Sequence, residues 1–120
     1  MMSPEHIPAL HFDESGLMEN TLRDSDLYNE LIGMARESLQ EYQQVLHKAL
    51  ADKDFQSLKS TAHSIKGLAL TMHCPAMRML ALDVELSSDQ HDLNLSKEKT
   101  NPLLEEINML LEQYLFPKNK

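Results

Sequence analysis

The stretch TAHSIKGLALTMHCPAMRMLALDVE, residues 61–85, contains side chains that could carry a phosphoryl group. His63 carries an imidazole, and in its neutral form a ring nitrogen is free to attack phosphorus. The ammonium of Lys66 can offset the charge of an arriving phosphoryl group. Gly67, which costs about 1 kcal/mol in a helix interior, leaves open space beside the ring. These residue types favour a nucleophilic histidine.

A helix over about residues 55–73, with Asp54 as its N-cap, must position these groups. Its apolar residues recur at alternating three- and four-residue intervals: Phe55, Leu58, Ala62, Ile65, Ala69 and Met72. At about 100° per residue, His63 lies about 130° from the centre of this seam and is predicted to face solvent. Lys59 and Gly67 lie one turn away on either side, and Leu70 lies two turns beyond His63. One surface patch is therefore expected.

The rest of the chain also reads as helix. We predict a short helix from Ser15, as its N-cap, to about Ser25, then helices over about 26–50, with a cap in residues 24–26, and about 75–88, with Pro75 in its first turn. A loop is expected over 87–96, followed by a helix over about 98–115 that could instead start at Asn101-Pro102. The fold class is all-α: an antiparallel up-down four-helix bundle with a short additional N-terminal helix. Residues 1–12 are predicted to be a flexible arm, and residues 13–117 the bundle domain.

The helix that begins at Pro75 has two apolar stripes. Met77, Leu80, Ala81 and Val84 form one, and Met79, Leu82 and Leu86 form the other. One stripe is enough for a bundle core. The second is either a docking surface beside His63 or a sign that the helix is more deeply buried, and the sequence leaves both open.

Charge and composition exclude several classes of protein. The net charge of −8 argues against nucleic acid or an anionic membrane as the main partner. The single cysteine, Cys74, cannot form an internal disulfide, and no secretory signal or membrane-spanning run is visible. The histidines and Cys74 show no spacing typical of a metal site. We expect a cytoplasmic protein without a metal or membrane partner, and a monomer, although an apolar stripe could also mediate self-association.

The segment AHSIKG at 62–67 resembles the H-x-x-K-G signature of histidine-containing phosphotransfer (HPt) domains of two-component phosphorelays. The similarity continues with Pro75 and Glu85, which lie 12 and 22 residues after His63, and with ALADKDFQSL at 49–58. It spans roughly residues 20–115 and is strongest over 49–85.

The resemblance implies a four-helix bundle that is a phosphoryl carrier rather than an enzyme. His63 would receive the phosphoryl group on Nε2 from a receiver-domain aspartate and yield it to another, with Lys66 steadying the group and Gly67 giving access. The partners would be response-regulator receiver domains and a hybrid sensor histidine kinase. The receiver would supply Mg²⁺, and the chain would need no cofactor of its own. The candidate partner-binding residues are Lys59, Leu70, Met79 and Leu82; for Lys59, a solvated helix position is the simpler interpretation.

Two residues depart from the family pattern. His73 stands where the family commonly has the glycine that ends the helix, so a differently built helix terminus is expected. Leu70 stands where small residues are common, beside the nucleophile. These departures keep open an alternative, a helical adaptor that binds a receiver or kinase domain without being phosphorylated. A small helical hydrolase or metal-dependent enzyme is disfavoured, because no nucleophile, base and orienting group occur together.

Overall fold

Helices account for nearly all of residues 8–116, the part of the chain that the computed structural model describes. Their bounds are α1 Pro8–His11, α2 Glu14–Asn20, α3 Ser25–Asp52, α4 Phe55–Thr71, α5 Pro75–Ser87 and α6 Leu93–Leu110. A 3₁₀ turn, Ser88–Gln90, precedes α6, and a π-helical turn, Leu111–Leu115, follows it. No strand occurs within these residues. None of their helices is long and apolar enough to cross a membrane.

The helices α3 to α6 form a bundle in chain order. Helix α3 packs on α4, α4 on α5 and α5 on α6, and α6 returns to contact α3. The links between them are short, so consecutive helices run in opposite directions. The predicted antiparallel up-down four-helix bundle is therefore confirmed.

The apolar seam predicted for α4 faces the core. Five of its six residues are buried: Leu58, Ala62, Ile65, Ala69 and Met72. Phe55, at the start of the seam, is half-buried and stacks on the His91 ring with 5.0 Å between ring centroids. Because one face of α4 is fixed against the core, the opposite face is left for solvent and for partners.

Aspartate side chains cap the N-termini of α3 and α4. The Asp24 carboxylate accepts the backbone N–H groups of Asp26 and Leu27 at the start of α3. The Asp54 carboxylate accepts the backbone N–H of Ser57 at 3.0 Å and so caps α4. Such caps satisfy donors that have no partner inside the helix. Both caps were predicted from the residue types.

Two predicted boundaries are wrong. Helix α2 is capped by Asp13 rather than Ser15 and ends at Asn20, before two residues with left-handed backbone, Leu22 and Arg23.

Helix α6 starts earlier than predicted. Asp92 caps it by accepting the backbone N–H of Leu95 at 3.1 Å, and the first turns bury Ser96 and Thr100. Most of the predicted loop over 87–96 is therefore helical, and Pro102 lies inside α6 instead of at its start. The proline removes one internal hydrogen bond, which the packing of α6 against α3 and α5 outweighs.

The chain before α2 packs on the bundle as far as it is described. The predicted arm covers residues 1–12, of which 1–7 lie outside the described residues. Residues Pro8–His11 form α1, and the His11 Nδ1 donates to Glu106 of α6 at 2.7 Å. Phe12 is buried and meets the Tyr114 ring edge to face. Residues 8–12 are thus part of the folded unit rather than of a flexible arm.

Candidate functional site

His63 projects from the middle of α4 into solvent. Its side chain is 68% exposed, while Ala62 and Ile65 on the opposite face are buried. The angle inferred from the spacing of the seam is therefore the angle observed. An imidazole in this position is accessible to a partner molecule.

The carboxylate of Glu85 on α5 joins the two chemical groups of the site. One oxygen, Oε2, accepts from His63 Nδ1 at 2.8 Å, and the other, Oε1, accepts from Lys66 Nζ at 2.7 Å. The pKa of Glu85 is lowered, chiefly by the hydrogen bond from Lys66 and also by the one from His63, although partial burial opposes them. Glu85 is consequently an anion at neutral pH.

This contact decides which ring nitrogen of His63 is available. A carboxylate can only accept hydrogen bonds, so the neutral imidazole carries its proton on Nδ1. The lone pair then lies on Nε2, the nitrogen that can act as a nucleophile. Glu85 thus orients the ring and sets its tautomer.

The contact of Glu85 was not predicted, although the residue belongs to the pattern that follows His63 in the sequence. The available signal was its position 22 residues after His63, across a short helical hairpin. In such a hairpin, residues at similar distances from the turn lie opposite each other.

Gly67 leaves open space one turn beyond His63. Apart from its own helix backbone and chain neighbours, a Cβ built at this position would meet no atom of residues 8–116 within 4 Å. The glycine is therefore not required by packing inside the chain. The space that it leaves can admit groups from another molecule.

An apolar groove runs between α4 and α5 beside this space. It has a volume of about 230 Å³ and is lined by Lys66, Gly67, Leu70, Arg78, Met79 and Leu82. Leu70 is 65% exposed and Met79 57% exposed. The second stripe of α5 faces this groove and the solvent, so its interpretation as part of a deeply buried helix is wrong. This exposure is what the other alternative, a docking surface, requires, and docking itself stays a prediction.

Lys59, a further candidate for partner binding, pairs with an acidic residue other than Glu85. Its Nζ donates to Asp89 Oδ1 at 2.7 Å, and this hydrogen bond raises the pKa of Lys59. No hydrogen bond joins Lys59 to His63 or Glu85 within residues 8–116. The structure therefore brings together Lys66, Gly67, Leu70, Met79 and Leu82 around the groove, and it leaves Lys59 in a separate ion pair.

The end of α4 corrects one expectation. His73 has φ 59°, the left-handed conformation in which glycine usually ends a helix, so the backbone terminus is of the common kind. Its carbonyl accepts the backbone N–H of Asp13, and its Nε2 accepts from Asn20 Nδ2, both at 2.7 Å. These two hydrogen bonds of His73 link α2 and its N-cap to the end of α4. Sequence reasoning missed this contact.

The other reactive groups give no second site. Within residues 8–116, no group of three or more His, Cys, Asp and Glu side chains is placed to hold a metal ion. Cys74 is buried, and burial together with the charge of Glu106 raises the pKa of its thiol to about 12. A thiol in this state is a poor nucleophile.

One protein-family model and two solved structures match this chain. The family model of the Hpt domain matches residues 30–115. The fold is similar to the histidine-containing phosphotransfer protein B (HptB) from Pseudomonas aeruginosa PAO1, with a TM-score of 0.77 and 24% identity over 85% of this chain and 89% of that one. It is also similar to the HPT domain of the Hpt sensor hybrid histidine kinase from Shewanella, with a TM-score of 0.75 and 19% identity over 87% and 90% of the two chains. No curated protein sequence matches the chain.

Proposed function

This chain belongs to the Hpt domain family, and from that premise we propose that it relays a phosphoryl group between receiver-domain aspartates through Nε2 of His63. The family assigns it a phosphotransfer role in two-component systems. An Hpt domain is a phosphocarrier and not a classical enzyme.

The hydrogen bond between His63 Nδ1 and Glu85 carries this proposal. It leaves the Nε2 lone pair on an imidazole that is 68% exposed, where the phosphoryl group of another molecule can reach it. A histidine without such a partner would divide its population between two tautomers. The contact therefore favours one nitrogen before any partner arrives.

The forward step is a displacement at phosphorus. Nε2 attacks the phosphoryl group of an aspartyl phosphate, a phosphorus–nitrogen bond forms, the phosphorus–oxygen bond breaks and the aspartate leaves as a carboxylate. The ring becomes cationic because Nδ1 keeps its proton, and the Glu85 carboxylate at 2.8 Å stabilises that charge. The reverse step returns the phosphoryl group to the aspartate of a second receiver.

The surrounding residues have separate proposed roles. Lys66 lies three residues after His63 and offsets charge on the phosphoryl oxygens. Gly67 admits the receiver's active site, and the apolar groove that begins there contacts the receiver surface. The receivers, one of them attached to a hybrid sensor kinase, would supply Mg²⁺ and most of the catalytic groups.

Phosphorylation of the purified chain tests the proposal. Receiver domains charged from a small-molecule phosphodonor with Mg²⁺ are mixed with wild-type chain and with His63→Gln. We expect wild type to gain a phosphate that is labile in acid and stable in base, and the variant to gain none. Equal labelling of the two proteins would contradict the proposal. Receiver binding that survives His63→Ala, with no transferable phosphate on wild type, would instead identify an adaptor.

A further inference from the structure

Arg78 is the groove cation that pairs with no side chain in the described part of the molecule. The other groove cation, Lys66, is held by Glu85 at 2.7 Å. Arg78 is exposed and forms no ion pair or side-chain hydrogen bond with any of residues 8–116. A guanidinium group has five N–H donors in a planar fork, and nothing in the described part of the chain uses them.

The apolar neighbours of Arg78 indicate what must meet it. Leu70, Met79 and Leu82 line the same groove, so a surface that covers them excludes water from the guanidinium as well. A desolvated and unpaired charge is strongly unfavourable. A partner that fits the groove therefore needs an acceptor for Arg78, and a carboxylate matches its fork with two parallel hydrogen bonds.

The size and surroundings of the groove favour a protein partner. Its volume of about 230 Å³ is below the ~300–1,000 Å³ of typical small-molecule sites, and it suits individual side chains of a docked surface. The whole chain carries −8 and repels an acidic surface in most orientations. Attraction between Arg78 and a carboxylate of the partner would therefore determine the orientation in which that partner docks.

We propose that Arg78 is a specificity-determining residue that selects receiver domains whose apolar docking surface carries a carboxylate at its edge. This inference rests on the proposed phosphotransfer function and names a class of partner for it. Arg78 acts in docking and does not touch the reacting phosphorus.

Transfer kinetics across a panel of charged receiver domains test the inference. For the receivers that react fastest with wild type, Arg78→Ala should raise the KM of transfer about tenfold or more and leave the maximal rate unchanged. Arg78→Lys should recover part of the loss, because it restores charge without the planar fork. Arg78→Glu should raise the KM further, and the salt dependence of the reaction should weaken or reverse.

A matched control separates a local effect from a change in net charge. Lys97→Glu alters the charge by the same amount as Arg78→Glu, but it lies exposed on α6, which packs on α3 and α5. We expect Lys97→Glu to transfer like wild type. A receiver variant in which the edge carboxylate is replaced by lysine should react better with Arg78→Glu than with wild type.

Binding measured without phosphorylation separates this inference from the proposed function. In the His63→Ala background, titration calorimetry with the same receivers should show the same loss of affinity on adding Arg78→Ala. Arg78-dependent binding without any phosphate on wild-type His63 would support the inference and defeat the proposed function. Phosphate transfer with the same KM for wild type, Arg78→Ala and Lys97→Glu would overturn the inference alone.

Discussion

At the scale of single residues, one carboxylate organises the chemistry of the site. Glu85 holds the Nδ1 proton of His63 and the ammonium of Lys66 on its two oxygens. Its side chain is only 16% exposed, whereas that of His63 is 68% exposed. The carboxylate is therefore better shielded from solvent than the imidazole that it orients. The imidazole of His63, our proposed nucleophile, and the ammonium of Lys66 are therefore oriented by the same carboxylate.

Replacement of Glu85 tests this arrangement. We expect Glu85→Ala to slow phosphoryl transfer to His63 by about 10- to 100-fold, the range seen when the hydrogen-bond partner that orients a metal-binding histidine is lost. Receiver binding should change little, because only 16% of the Glu85 side chain is exposed to a partner. Rapid-quench kinetics with a charged receiver measure the rate, and Asp83→Ala, an exposed acidic position on the same helix, is the control. A rate for Glu85→Ala equal to that of the control would show that Glu85 does not orient the nucleophile.

Substitution of Gly67 should separate stability from function. Gly67→Ala meets no neighbouring atom and should raise the free energy of unfolding by ~0.5–1 kcal/mol. The added methyl group should nevertheless slow transfer, because it occupies the space beside the ring. Gly33→Ala in α3 is the matched control, since its Cβ would lie at an ordinary 3.6 Å from Arg36. It should give a similar gain in urea stability with unchanged transfer, and unchanged transfer in Gly67→Ala would refute the access role.

At the scale of the elements, both ends of α4 are held by side chains. Asp54 caps its start, and at its end His73 binds α2 through its carbonyl and its ring. The second contact links segments 53 residues apart and anchors the helix that carries His63. The left-handed backbone of His73 is tolerated because these contacts hold it.

A double-mutant cycle measures the contact between α2 and α4. Asn20→Ala and His73→Ala should each destabilise the protein, and the two changes should couple by about 0.5–1 kcal/mol. Urea denaturation of the four proteins gives the coupling free energy. Asn20→Ala combined with His47→Ala, an exposed histidine on α3, should be additive. Additive behaviour of the Asn20 and His73 changes would mean that their hydrogen bond does not stabilise the folded chain.

The cap at Asp54 should make stability depend on acid pH. Its pKa is lowered from the ordinary 3.8, chiefly because the backbone N–H of Ser57 donates to the carboxylate. A folded-state pKa below the unfolded value gives stability that is present above the unfolded value and is lost as the pH falls through the folded one. Urea midpoints between neutral pH and about pH 3 should show a larger loss for wild type than for Asp54→Asn, which caps without titrating. Parallel pH profiles would show that the cap is not the group responsible.

At the scale of the whole molecule, an acidic surface surrounds a small site that is basic and apolar. The chain has 19 acidic and 11 basic residues, while Lys66 and Arg78 line the groove with exposed Leu70 and Met79. General repulsion between copies opposes self-association through other faces. The groove is therefore the face on which we expect a partner of complementary charge and apolar surface to dock.

We therefore expect a monomer in solution. Light scattering during size-exclusion chromatography should give a molar mass close to 13.7 kDa over a wide range of concentration. A mass near twice this value that returns to the monomer value on Leu70→Asp would contradict the expectation. It would place self-association on the face that we assign to a receiver.

Much of the fold and part of the site could be predicted, because the signals are local. The seam of α4, the caps at Asp24 and Asp54 and the first-turn position of Pro75 depend on residues within a few positions of one another. The start of α6 was misplaced, because polar residues such as Ser96 and Thr100 do not reveal that they are buried against another helix. Burial is a property of the packed bundle and not of the segment.

The outward angle of His63 and the open position of Gly67 were determined by the sequence alone, because a helical period of 3.6 residues fixes which side chains oppose a buried seam. Only the tertiary structure decided which nitrogen of His63 is free, which stripe of α5 is exposed and what His73 binds. Those outcomes depend on contacts between helices, such as His63 with Glu85 22 residues away. The distance and orientation of such a contact are set when the helices pack.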